Sequence, residues 1–178
     1  MAVVKPYIFQ IVGYQNSGKT TLATKIIALL TARDFSIVTI KHHGHGGKPD
    51  MVVNKDSNQH ISAGACASIV EGDGRLLLQA DKPSWTLNEQ IEILRPFQPD
   101  IILIEGHKFE DYPKVVILRT DKDHELLDQL TNIHAVLFWD KNVNVNKLQD
   151  RFPSTPFFDI HDEQSSKWIC SFLINYCN

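Results

Sequence analysis

The chain has 178 residues, 43% of them hydrophobic and 22% charged, and its 18 Lys and Arg against 21 Asp and Glu leave a net charge of −3. That usage excludes a disordered chain, a collagen-like chain and a disulfide scaffold, and the charge offers no general field for a nucleic-acid backbone. Cys66, Cys170 and Cys177 form no metal-like spacing, and no apolar run approaches the roughly 18 residues of a membrane span. We therefore expect a cytoplasmic protein with reduced thiols and no membrane or nucleic-acid partner. A domain of this length buries roughly 70% of the surface its unfolded chain exposes, so residues 1–178 read as one domain.

Tyr7–Val12 is a short apolar run ending at Gly13, which predicts a buried strand. Thr20–Arg33 carries Leu22, Ile26, Ile27, Leu29 and Leu30 at helical spacing, and Ser36–Ile40 predicts a second strand. Together they make a right-handed βαβ unit. His42–Lys48, with three histidines and three glycines, reads as a loop. A short helix is expected near Ser57–Ala63. Ser68–Glu71 and Arg75–Gln79 flank Gly72-Asp73-Gly74, the signal of a small β-hairpin insertion. Thr86–Arg95 predicts an amphipathic helix with Thr86 and Glu89 as a capping box, stopped by Pro96 and Pro99.

Ile101–Ile104 is unbroken and apolar, as befits the centre of a parallel sheet. Lys114–Leu118 and Ala135–Trp139 read as strands with a weak helix, Asp123–Leu130, between them, and Trp168–Tyr176 predicts a closing amphipathic helix. Strands alternating with helices predict an α/β fold, a mostly parallel sheet flanked by helices.

Gly13-Tyr14-Gln15-Asn16-Ser17-Gly18-Lys19-Thr20 fits G-x-x-x-x-G-K-[ST] without mismatch and stands between a strand and a helix, with Thr21 following. The chemistry accounts for each residue. Backbone N–H groups of a glycine-rich turn donate to phosphate oxygens, and the helix that follows adds the positive end of its dipole. Lys19 supplies a point charge, and the Thr20 hydroxyl is a ligand for Mg²⁺. These residues make the fold P-loop NTPase-like. The motif serves ATP and GTP alike.

A carboxylate is expected near the metal. Ligands of parallel sheets sit beyond the carboxyl ends of the strands. Glu105 ends its strand there, whereas Asp100 begins it, roughly 16 Å away. We assign Glu105 to the metal or its water shell and let Gly106 bring the backbone close to the phosphates. Asp56 either reaches the metal or caps the next helix. Lys41 ends the second strand on the same edge, facing a γ-phosphate or an anionic acceptor. His42, His43, His45 and His60 crowd the neighbouring segment, and His107 follows Glu105-Gly106. Without a nearby cysteine they point to anion binding or gating before zinc.

These segments together resemble the MobB family, the molybdopterin-guanine dinucleotide biosynthesis protein B family. The resemblance rests on Gly13–Thr20, on Thr39-Ile40-Lys41-His42-His43, on Lys55-Asp56-Ser57 with His60 and Ala63-Gly64-Ala65, and on Asp100–Lys108. It departs at the glycine-rich Gly46-Gly47-Lys48-Pro49-Asp50. The resemblance implies a P-loop α/β fold, binding of GTP with Mg²⁺, weak hydrolysis and a homodimer. It also implies partnership with the guanylyltransferase that attaches GMP to molybdopterin. No ordered N-K-x-D guanine signature is present; Asp140-Lys141-Asn142 has the wrong order.

Two functions follow from the residues. One is a GTP-binding accessory protein, a slow GTPase at most. The other is an ATP-dependent kinase or ligase, with Lys41 and Lys55 holding an anionic acceptor.

Overall fold

The computed structural model describes residues 6–44, 55–139 and 143–177, with residues 55–58 as backbone alone. In chain order the elements are β1 (Tyr7–Gly13), α1 (Lys19–Thr31), β2 (Ile37–Lys41), α2 (Lys55–Ser62), β3 (Ala67–Gly72) and β4 (Arg75–Ala80). They continue with α3 (Leu87–Leu94), β5 (Ile101–Glu105), β6 (Lys114–Leu118), α4 (Glu125–Gln129) and β7 (Ile133–Phe138). α5 (Val145–Arg151), β8 (Phe157–Asp159) and α6 (Glu163–Cys177) close the chain.

Six strands form one sheet in the order β2-β5-β1-β6-β7-β8, and every pairing is parallel. Alternate residues of each strand serve opposite faces, so a sheet covered on both sides needs unbroken apolar strands. Ile101 and Leu103 join Phe9, Ile11, Val115 and Ile117 beneath α1 and α6. Ile102 and Ile104 face α3 with Leu87 and Ile91, while Val12, Val116 and Val136 pack on α4 and α5 through Leu126, Leu127 and Leu148. The helix after β1 thus lies on one face and the helix after β6 on the other. Their loops diverge at the carboxyl ends of these neighbouring strands, the crevice where open α/β sheets bind ligands.

Lys114 sits at the start of β6 with no exposed surface, its ammonium donating to the Glu110 and Thr131 carbonyls. At the other end of the chain, α6 stacks its ring side chains onto β1. Trp168 and Phe172 stack at 5.3 Å, and Tyr176 lies on Tyr7 at 5.0 Å.

The predicted hairpin is β3–β4, an antiparallel ribbon apart from the main sheet. The predicted capping box is formed: Glu89 N–H donates to the Thr86 hydroxyl, and the Glu89 carboxylate accepts from Thr86 N–H. The weak helix begins as a 3₁₀ turn over Asp121–His124 before α4. Two elements had no counterpart in the sequence reading, α5 and β8. α6 begins five residues before the expected Trp168, because Ser165 and Ser166 are buried and return their hydroxyls to the Asp162 and Glu163 carbonyls. Among the described residues no helix is long and apolar enough to cross a membrane.

Candidate functional site

β1 ends at Gly13 and α1 begins at Lys19, so the phosphate-loop residues 14–18 are the connection itself. Gly18 precedes the helix at φ 92°, a backbone conformation that glycine adopts without a Cβ penalty. Lys19, Thr20 and Thr21 occupy the first turn, where helix N–H groups lack intrahelical partners. The loop forms one wall of a cleft of about 1090 Å³. Lys41, His42, His43 and Gly44 from the end of β2, Glu105–Glu110 from the end of β5 and Trp139 after β7 line the rest.

Sheet register brings the distant pieces together. Lys41 and Glu105 are partners on the last rung between β2 and β5, and Ile11 faces Glu105 across β1–β5. The Lys41 ammonium lies 3.3 Å from Glu105 Oε1 and donates to the Thr20 hydroxyl at 3.0 Å. Thr20 Oγ1 donates in turn to both Glu105 oxygens, at 2.8 and 3.0 Å. A threonine hydroxyl and a carboxylate in contact are hard oxygen donors, the set that Mg²⁺ takes when it binds beside phosphates. The residues present therefore fit that ion.

Lys19 folds back and donates to the Tyr14 carbonyl at 2.7 Å. Burial pushes its ammonium below the usual lysine range; Glu105 opposes the shift, and Lys108 and Lys41 add to it. A phosphate group would restore the lost charge compensation. Lys108 lies over the Tyr14 ring at 4.6 Å and over Phe109 at 5.7 Å, which sets a third lysine at the rim beside Lys19 and Lys41.

Asp100 lies at the opposite end of β5. Its carboxylate accepts the Ser36 N–H at 2.7 Å and holds the start of β2. Gly106 is at φ 95°, and a Cβ there would stand 3.0 Å from the His42 Cβ. The His42 and His107 rings meet at 4.6 Å. Burial lowers the His107 pKa, and His42 adds to the shift. Asp56 is the second residue of α2, but its side chain lies outside the described residues, as do Lys55, His45 and Asp140-Lys141-Asn142. Among the described residues no group of three His, Cys, Asp or Glu could hold a metal ion by itself.

Three residues of this region escaped the sequence reading. Gln10 is fully buried in β1 and donates through Nε2 to the carbonyls of Gly106 and His107, tying the β5 loop to the central strand. Arg119 donates to the Asn16 carbonyl, and the Trp139 indole N–H to the Ser17 carbonyl, each at 2.7 Å. A polar residue within an apolar strand was the one available signal for Gln10. Arg119 and Trp139 gave none, because their partners lie more than 100 residues away.

Comparison with known proteins agrees with this architecture. A probable molybdopterin-guanine dinucleotide biosynthesis adapter protein of Bacillus subtilis is 43% identical over 140 residues, 78% of this chain and 80% of that protein. The crystal structure of Bacillus subtilis MobB superposes with a TM-score of 0.77 at 36% identity, covering 93% of this chain and 96% of that one. The hydrogenase maturation factor HypB of Archaeoglobus fulgidus shares the fold alone, with a TM-score of 0.55 at 16% identity over 95% of this chain and 88% of that one. The model of one family, MobB, molybdopterin guanine dinucleotide synthesis protein B, matches residues 8–139, and the chain belongs to that family.

Proposed function

We propose that this chain is a Mg²⁺-dependent GTP-binding adapter with weak GTPase activity in the biosynthesis of the molybdopterin guanine dinucleotide cofactor. The observation that carries the proposal is the contact of Thr20, Glu105 and Lys41 at the mouth of the phosphate loop. Lys19 and the first-turn N–H groups of α1 would hold the β- and γ-phosphates. Thr20 and Glu105 would hold Mg²⁺, which neutralises phosphate charge when bound. Lys41 then has an anion to move to, the γ-phosphate. Among the described residues that line the cleft there is no arginine, and Arg119 is committed to a loop carbonyl. Charge developing in a phosphoryl-transfer transition state thus lacks an arginine finger within the described chain, which favours slow turnover.

Membership of the family and the adapter names of the curated relatives support the pathway. Guanine preference, a cytoplasmic location and a guanylyltransferase partner are parts of this proposal that the membership supports. The chain acts as one nucleotide-binding domain within a homodimer. Support for the dimer comes from β3–β4, where Ile69, Leu76 and Leu78 are exposed on one face of an isolated two-stranded ribbon. Such ribbons are marginal in water without a partner.

Titration of the full chain with GTP and ATP in the presence of Mg²⁺ tests the reading. Micromolar GTP binding, lost in Lys19→Ala at unchanged helix content, is the expected result. An ATP preference with stoichiometric phosphoryl transfer to a small anionic acceptor would replace the adapter with a kinase or ligase.

A further inference from the structure

The phosphate loop is gripped by two side chains from strand ends that contribute nothing to the motif, and one of them, Trp139, also lines the cleft. Arg119 follows the last residue of β6, and its Nη1 donates to the Asn16 carbonyl at 2.7 Å. Trp139 follows the last residue of β7, and its Nε1 donates to the Ser17 carbonyl at 2.7 Å. The two donors thus take two consecutive peptide groups of the loop.

Both gripping residues are themselves anchored. Arg119 N–H and Thr120 N–H donate to the nearly buried Asp123 carboxylate, at 2.7 and 3.2 Å. Trp139 N–H donates to the Leu118 carbonyl, and the indole meets the His161 ring edge-on at 5.1 Å. The guanidinium lies 5.7 Å over the indole, so the two side chains also brace each other. The indole also packs against the loop backbone. A Cβ on Gly18 would stand 3.0 Å from Trp139 Cζ2 and 3.4 Å from Ile160 Cδ1.

A trans peptide is planar, with its C=O and N–H pointing opposite ways. Holding the Ser17 carbonyl on the indole therefore aims the Gly18 N–H the opposite way, away from Trp139. Asn16 has φ 56°, an uncommon conformation for a residue with a side chain. A loop with that backbone needs outside restraint if its donors are to be preset before phosphate arrives.

We propose that Arg119 and Trp139 are positioning residues of the phosphate loop, setting triphosphate affinity by holding the Asn16 and Ser17 carbonyls, Arg119 from outside the cleft and Trp139 from its wall. The proposal rests on the reading of this loop as a nucleotide site. It also assigns Trp139 as an internal reporter, since its indole nitrogen is bonded to the element that closes on phosphate.

The test is nucleotide titration of full-length Trp139→Phe, Trp85→Phe, Arg119→Gln and Arg119→Lys with Mg²⁺ and GTP, read by affinity and by tryptophan emission. Trp139→Phe keeps an aromatic ring, loses the single donor and changes no charge. It should weaken binding about fivefold, the size expected for one hydrogen bond of roughly 1 kcal/mol. It should also abolish the emission change on binding, which Trp85→Phe retains. Arg119→Gln should weaken binding by a similar factor and Arg119→Lys should restore most of it. Thermal midpoints measured alongside separate lost affinity from lost folded protein. Wild-type affinity in Trp139→Phe overturns the proposal even if Arg119→Gln binds weakly, because charge alone would then account for the arginine. Failure of the wild-type chain to bind any nucleoside triphosphate removes the nucleotide reading, and this inference with it.

Discussion

The Thr20 hydroxyl donates to both carboxylate oxygens of Glu105, across 85 residues of sequence, and the Lys41 ammonium rests against the pair. Lys41 occupies the position beside these oxygens that a divalent cation would claim. Glu105→Gln should therefore weaken Mg²⁺-dependent nucleotide binding at least tenfold, while Asp100→Asn, at the far end of β5, leaves it near wild type. Isothermal titration of both variants checks the ranking. Equal losses would mean that Glu105 has no particular tie to the metal.

Gly106 joins two constraints, a φ of 95° and the His42 Cβ 3.0 Å from where its own Cβ would be. Gly106→Ala should lower stability by about 1–3 kcal/mol, the cost of a strained backbone, and push the His42 segment off the β5 loop. Urea unfolding gives the first quantity. Altered ring-proton shifts of His42 and His107 report the second, and unchanged shifts would show that the segment yields without moving the rings.

The capping box of α3 lies remote from the cleft. Thr86→Ala should cost about 1 kcal/mol of stability with nucleotide affinity unchanged. A chemical-denaturation midpoint paired with a GTP titration separates the two. A change in affinity would reveal an unforeseen link between α3 and the site.

His134 packs on Phe172 at 4.7 Å. Burial holds its pKa below the ordinary value of 6.5, and Lys114 adds to the shift. The unfolded chain therefore takes up this proton first as the pH drops. The stabilisation is complete above pH 6.5 and is lost as the pH falls below it. Denaturation midpoints at about pH 7.5 and about pH 5.5 should differ more in the wild type than in His134→Gln. Equal differences would place the acid sensitivity elsewhere.

The β3–β4 ribbon exposes Ile69, Leu76 and Leu78 on one face. A lysine there opposes strand and face association at little cost to a monomer. Leu78→Lys should convert a dimer to a monomer in analytical ultracentrifugation while the circular dichroism spectrum holds. A wild-type chain that sediments as a monomer at micromolar concentration would remove the homodimer from the proposed function.

Local order in the sequence was enough for the strand, loop and helix of residues 7–33, the turn at Gly72-Asp73-Gly74 and the cap at Thr86. Each is set by neighbours within a few positions, through spacing, backbone freedom or a side chain that reaches its own helix. β8 escaped because three residues cannot display a period, and the start of α6 escaped because buried serines read as polar. In the cleft, strand direction alone separated Glu105 from Asp100, since a parallel sheet binds at one edge.

The sequence by itself determined the phosphate loop, its flanking elements, the carboxylate-bearing strand end and the family. What only the tertiary structure decided is which distant groups meet there: Lys41 on Glu105 through strand register, Gln10 on the β5 loop, and Arg119 and Trp139 on the loop carbonyls. The physical reason is that a motif records contacts a chain makes with its own neighbours. The order of strands in a sheet is chosen by burial of both faces, and it brings residues together that no spacing relates.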